Sequence, residues 1–235
     1  MIVLISAFLL LSAFSCGGGN KANSTSEQSE ETAVNVPQFD ADSAYLYVKN
    51  QVDFGPRVPN TKEHVACGNY LAGQLEAFGA QVTNQYADLI AYDGTLLKAR
   101  NIIGSYKPES KKRIALFAHW DTRPWADNDP DEKNHNTPIL GANDGASGVG
   151  ALLEIARLVN QQQPELGIDI ILLDAEDYGA PQFYTGQHKE EFWCLGSQYW
   201  ARNPHVQGYN ARFGILLDMV GGEGSVFMKE GYSEE

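Results

Sequence analysis

Three short apolar runs in this chain each end on residues that carry chemistry. RIALFAHWD (113–121) finishes in His119 and Asp121, and IDIILLDAEDYG (168–179) passes from Ile and Leu side chains into Asp174, Glu176 and Asp177. The third, ARFGILLDMVGG (211–222), reaches Asp218. Short continuous runs of Ile and Leu read as strands buried on both faces. Helical patterns separate them, and strands alternating with helices specify an α/β fold with a largely parallel central sheet. Such sheets place their ligand crevice beyond the carboxyl ends of the strands. His119, Asp121, Glu176, Asp177 and Asp218 are therefore expected along one edge.

The helix before the second run opens in GANDGASGVGALLEIARL, where Val149, Leu152, Leu153, Ala156 and Val159 form an apolar stripe. Asp144 sits at its loop-to-helix junction and can join the same edge. The small residues around it, Gly141, Ala142, Gly145, Ala146, Ser147 and Gly148, let backbone or a ligand come close. Nearer the N-terminus, DADSAYLYVKNQV predicts a helix with Tyr45, Val48 and Val52 on one face. After the Gly/Pro loop FGPRVPN (54–60), Asn60 and Glu63 have capping-box spacing for a helix that carries Leu71, Leu75 and Phe78 and stops at Gly79. Two strands follow, turning at Asp93 and Gly94. A loop rich in Asn, Asp and Pro spans 122–138.

Asp174, Glu176 and Asp177 crowd three carboxylates into four residues. Like charges that close are costly unless a cation offsets them or a proton is shared. One histidine among several carboxylates suits a hard or borderline metal such as zinc. Taken singly, an Asp at a strand end is commonly a cap or turn residue, a reading that suits Asp174, and a lone His119 is commonly a hydrogen-bonded residue near the core. The joint pattern points to a metal.

With 235 residues, 43% of them hydrophobic, the chain can bury one sizeable core. A formal net charge of -13 argues against nucleic acid and anionic membrane surfaces as partners. None of the three cysteines, Cys16, Cys67 and Cys194, sits in a C-x-x-C pair, so neither a thiolate zinc site nor a disulfide framework is indicated. MIVLISAFLLLSAFSC is an apolar run of signal-peptide length, too short for a membrane span. Ser15 before Cys16 resembles a lipoprotein processing site. The expectation is a signal peptide over 1–16 whose lipobox-like Cys16 becomes the lipidated first residue, a flexible tether over 17–38, a folded domain over 39–235, and export to the cell envelope facing the periplasm.

AHWDTRPWADND, GANDGASGVGALLEIARL, LLDAEDYG and ILLDMVGG, in that order, resemble the animal-type zinc-dependent glutaminyl-peptide cyclotransferases of the M28 aminopeptidase-like family in its bacterial form. The resemblance runs from about Phe54 to the end of the chain. It implies a three-layer α/β/α sandwich around a mixed, mostly parallel sheet. It implies conversion of an N-terminal glutamine of peptides or proteins to pyroglutamate with release of ammonia, using one zinc ion per chain. On this resemblance Asp144 and Asp177 bind zinc, Glu176 is the general acid/base, and Asp218 belongs to the active-site hydrogen-bond network. Many relatives carry Glu where Asp177 stands. Trp193 corresponds to an aromatic wall of the substrate pocket. His119 and Asp121 match a motif that binds a second metal in the aminopeptidases and lies just outside the ligands in the cyclases. The alternative activity is thus a two-zinc aminopeptidase. The third zinc ligand implied is a downstream histidine. No His follows His205, so the resemblance also implies that the last part of the domain, with a final strand and helix, is absent from these 235 residues.

Overall fold

The structure is a computed structural model that describes residues 36–227. The expectations for Cys16, the signal peptide and most of the tether fall outside the described residues. Four helices, α1 (Ala41–Val52), α2 (Lys62–Ala77), α3 (Ala146–Gln161) and α4 (Leu195–Arg202), accompany five strands. These are β1 (Gln81–Ile90), β2 (Leu96–Tyr106), β3 (Arg113–His119), β4 (Gly167–Leu173) and β5 (Gly214–Leu216), in the order β1-β2-β4-β3-β5.

The sheet is mixed, as expected. β1–β2 and β2–β4 pair antiparallel, while β4–β3 and β3–β5 pair parallel. Four strands therefore share one direction, with β2 opposed. Alternation along β3 and β4 builds the layers. Leu116, Ala118, Ile168, Ile170 and Leu172 meet Leu71 and Leu75 of α2 and Val149, Leu152 and Leu153 of α3 in one core. Ile103, Ala115, Ile171 and Leu173 face the other way, towards Trp200 of α4. The register sets His119 beside Leu173 and Phe117 beside Leu216, so the chain leaving β3, β4 and β5 emerges along one edge.

Local chemistry differs from the sequence reading at several points. α1 buries Gln51, and Tyr45, expected on its inner face, is 73% exposed. The cap of α2 is Thr61, whose hydroxyl accepts from the His64 amide. Asn60, with φ 74, instead donates to the Leu96 carbonyl and accepts the Lys98 amide at the start of β2. β5 has three residues, all exposed, because it is an edge strand among the described residues. Cys67 and Cys194 are both free, Cys67 within the core. No helix among the described residues is long and apolar enough to cross a membrane.

Candidate active site

Two turns deliver the acids to that edge. After β4, Ala175 takes a left-handed φ of 52, which reverses the chain and turns Glu176 and Asp177 back over the strand ends. The reversal is pinned from both sides. The amides of Cys194, Leu195 and Gly196 donate to the carbonyls of Glu176, Ala175 and Asp174, each at 3.0 Å. A Cβ on Gly196 would fall 2.0 Å from the Asp174 oxygen, so only glycine allows this approach. The fully buried Asp121 carboxylate then accepts the Glu176 amide at 3.1 Å and the Asp177 amide at 3.2 Å.

Before α3, Gly141 (φ 57) and Gly145 (φ 89) flank Asp144 in left-handed conformations. A Cβ at Gly145 would lie 2.8 Å from the Asp121 carbonyl, so the loop packs directly on the β3 exit. At Gly141 and Gly145 the small residues around Asp144 admit neighbouring protein atoms closely, the packing part of what the sequence suggested.

His119, 1% exposed, is the hub. Its Nε2 lies 2.9 Å from Asp144 Oδ1 and 3.5 Å from Asp218 Oδ1, and its Nδ1 lies 3.5 Å from Asp121 Oδ1 without hydrogen-bond alignment. Donor atoms of His119, Asp144 and Asp177 lie within 4.8 Å of one another, as do those of His119, Glu176 and Asp218. Among the described residues no Lys or Arg forms an ion pair with Asp144, Glu176, Asp177 or Asp218.

The electrostatics follow. Burial, and then the Asp121 charge, push Asp177 up to about 8. Burial pushes Glu176 up to about 7. Burial opposes charge on His119, but Asp121, Asp144 and Asp218 outweigh it and raise its pKa well above the usual range. Asp177 Oδ2 is buried with no hydrogen-bond partner. An orphaned carboxylate oxygen, a second carboxylate and an imidazole converging without a paired Lys or Arg among the described residues form an N/O donor set that fits zinc.

A cavity of about 450 Å³ opens over these acids, lined by Asp144, Asp177, Arg123, Asn128, Gln182 and Trp193 among others. All seven residues expected at the site thus gather at one edge, and Trp193 faces the cavity with two of the acids. Asp174, read as a turn residue, is instead fully buried. It accepts from the Arg100 and Ala175 amides and meets His64 Nε2 at 2.9 Å. The sequence reading missed three supports. His64 stacks on Trp120. Buried Arg57 donates to the carbonyls of Trp120, Leu140 and Gly141, tying the β3 exit to the Asp144 loop. Arg123 lies between Trp125 and Trp193. Arg57 and Arg123 stand inside motifs already singled out, FGPRVPN and HWDTRPWADND. Nothing near His64 marks it.

Peptidase family M28 matches residues 101–235, more than half of the chain, and the chain belongs to that family. Within it, glutaminyl cyclases stand among the most similar proteins. The structure of Bacteroides thetaiotaomicron glutaminyl cyclase bound to N-acetylhistamine is 94% identical, with TM-score 0.84, over 85% of this chain and 68% of that one. A structure called a leucine aminopeptidase precursor from Bacteroides thetaiotaomicron is also 94% identical, with TM-score 0.84, over 85% of this chain and 69% of that one. The glutaminyl-peptide cyclotransferase of Drosophila melanogaster is 24% identical over 77% of this chain and 50% of its own. The chain spans half or less of the length of the curated relatives it matches here.

Proposed function

We propose that this protein cyclises the N-terminal glutamine of peptides to pyroglutamate, releasing ammonia, and that Asp144 and Asp177 hold a zinc ion beside His119. The observation that carries the proposal is Glu176. It is a carboxyl raised to about 7 by burial, next in the chain to Asp177, which lines the cavity together with Trp193. The recurrence of glutaminyl cyclases among the similar structures, at 94%, 59% and 54% identity, supports ring closure, and the equally similar leucine aminopeptidase precursor is why peptide hydrolysis stays the alternative to be tested.

In the reaction the α-amine attacks the side-chain amide carbon. One C–N bond forms, the bond to the amide nitrogen breaks, and the proton lost by the amine must reach the departing ammonia. Zinc, when bound, supplies a Lewis acid for the amide carbonyl oxygen. A carboxyl whose pKa lies near neutrality can accept the amine proton and return it, which fits Glu176. Asp121 fixes the Glu176 and Asp177 amides, so the two side chains diverge from a rigid turn. The Trp193 ring walls the glutaminyl side chain and helps to exclude water. Closure of a five-membered ring within one molecule benefits from proximity.

Glu176→Gln keeps the shape and cannot shuttle a proton. It is expected to lower pyroglutamate formation by roughly a hundredfold or more with zinc retained. Near-parental turnover in that variant sinks the assignment. Two tightly held zinc ions per chain, with release of N-terminal residues, would move the reading to an aminopeptidase. We also propose export with a lipid anchor at Cys16, on the strength of the apolar N-terminal run and Ser15. Absence of labelled fatty acid on the protein, with Cys16→Ala as control, would overturn that.

A further inference from the structure

Arg123 lies in the wall of the 450 Å³ cavity, and its guanidinium faces two indoles. It stands 4.8 Å from the Trp193 ring centroid and 5.6 Å from that of Trp125. Its Nε and Nη2 donate to the two oxygens of Asp127 at 2.6 and 2.5 Å, and its Nη1 donates to the Asp177 carbonyl at 3.1 Å. Asp127 also accepts the Gln182 amide at 2.8 Å. The side chain is only 11% exposed, and its charge is matched by Asp127, so it is not poised to attract an anionic substrate. Trp193 is held elsewhere by glycine. A Cβ on Gly179 would fall 2.1 Å from Trp193 Cε2, so the ring rests directly on the backbone there.

We infer that Arg123 is a positioning residue that, together with Gly179, fixes the Trp193 ring and so sets how tightly the glutaminyl side chain is gripped. The inference rests on the functional reading above. A planar guanidinium can lie on an indole while its fork grips a carboxylate and a third N–H holds a carbonyl. The compact ammonium of lysine can pair with Asp127 but cannot do all three. If the ion pair with Asp127 were the whole role, lysine would substitute.

The test uses the full-length, zinc-loaded protein and its variants Arg123→Lys and Gly179→Ala. The first keeps the charge opposite Asp127, and the second displaces Trp193 while keeping the Gly179 carbonyl that Arg123 Nη1 reaches at 3.5 Å. Affinity for a Gln-initiated dipeptide is measured by calorimetry, beside KM, kcat and zinc content. Both variants are expected to weaken binding and raise KM by roughly tenfold, with zinc retained and kcat much less affected. Parental affinity in Arg123→Lys overturns the inference and leaves Arg123 as a structural ion pair. Zinc loss with unchanged KM overturns it as well, because Arg123 would then act through Asp177. If the parent binds the dipeptide but releases no ammonia, the proposed reaction fails while the Arg123 inference is still read from the affinities. A parent that does not bind the dipeptide overturns both.

Discussion

Asp169 shows what full satisfaction does to a buried carboxylate. Burial alone pushes its pKa up, yet His205, Arg113, Ser105 and Tyr209 together hold it well below the usual range. Arg113 bonds both of its oxygens. A carboxyl whose folded pKa is depressed contributes stability above its unfolded value of about 4 and loses it as pH falls below that value. Asp169→Asn is therefore expected to cost roughly 3 kcal/mol near neutrality, since it leaves Arg113 without its counter-charge. Urea unfolding at pH 7 and pH 3 measures the gap between parent and variant. The gap should narrow at the lower pH, and a gap that stays constant contradicts the assignment. Asp177 has no such set of donors, and its carboxyl goes the other way, up to about 8. That contrast separates a structural acid from one available to a metal.

α3 is the element on which the site hangs. Asp144 precedes it, and its first turn is glycine-rich. A Cβ on Gly148 would lie 2.1 Å from the Leu217 carbonyl, and one on Gly150 would lie 2.6 Å from Val48 Cγ2 of α1. The helix thus admits the chain after β5 on one contact and α1 on another. Ser147 Oγ accepts the Val220 amide and Asn143 Oδ1 accepts the Gly221 amide, which brackets Asp218. Gly148→Ala is expected to push the 217–218 backbone outwards, destabilise the protein by about 1–3 kcal/mol, and reduce activity by moving Asp218 from His119. Thermal unfolding and cyclisation rates at a temperature where the variant is folded check both parts. A folded, fully active variant would show that the position of Asp218 does not matter.

For the whole molecule, a net charge of -13 is compounded by acids gathered at one sheet edge without a paired Lys or Arg among the described residues. A divalent cation bound there stabilises the folded state by mass action, by about 2.7 kcal/mol at a hundred times the dissociation constant. Zinc is expected to raise Tm in the parent, a chelator to lower it, and Asp177→Ala to lose most of the response. An equal zinc response in parent and Asp177→Ala would place the metal elsewhere.

The sequence by itself determined the elements that carry chemistry. Continuous Ile and Leu runs of this length read as strands, and their polar ends marked His119, Asp121, Glu176, Asp177 and Asp218 in advance, although the shortest, β5, lies exposed at the sheet edge. Gly141 and Gly145 around Asp144 were legible for the same kind of reason, because small residues signal close approach. Tertiary structure alone decided what depends on distant partners. Asp174 became a buried acceptor because β2 brings the Arg100 amide and α2 brings His64 to it. Gln51 turned inward on α1 while Tyr45 stayed outside, because the start of α3 offers the Gln51 amide the Ala146 carbonyl at 3.2 Å. Arg123 gained its place against Trp193 from a loop seventy residues away. A spacing rule reads neighbours along the chain, whereas these contacts arise only where separate elements meet, and no local pattern encodes them.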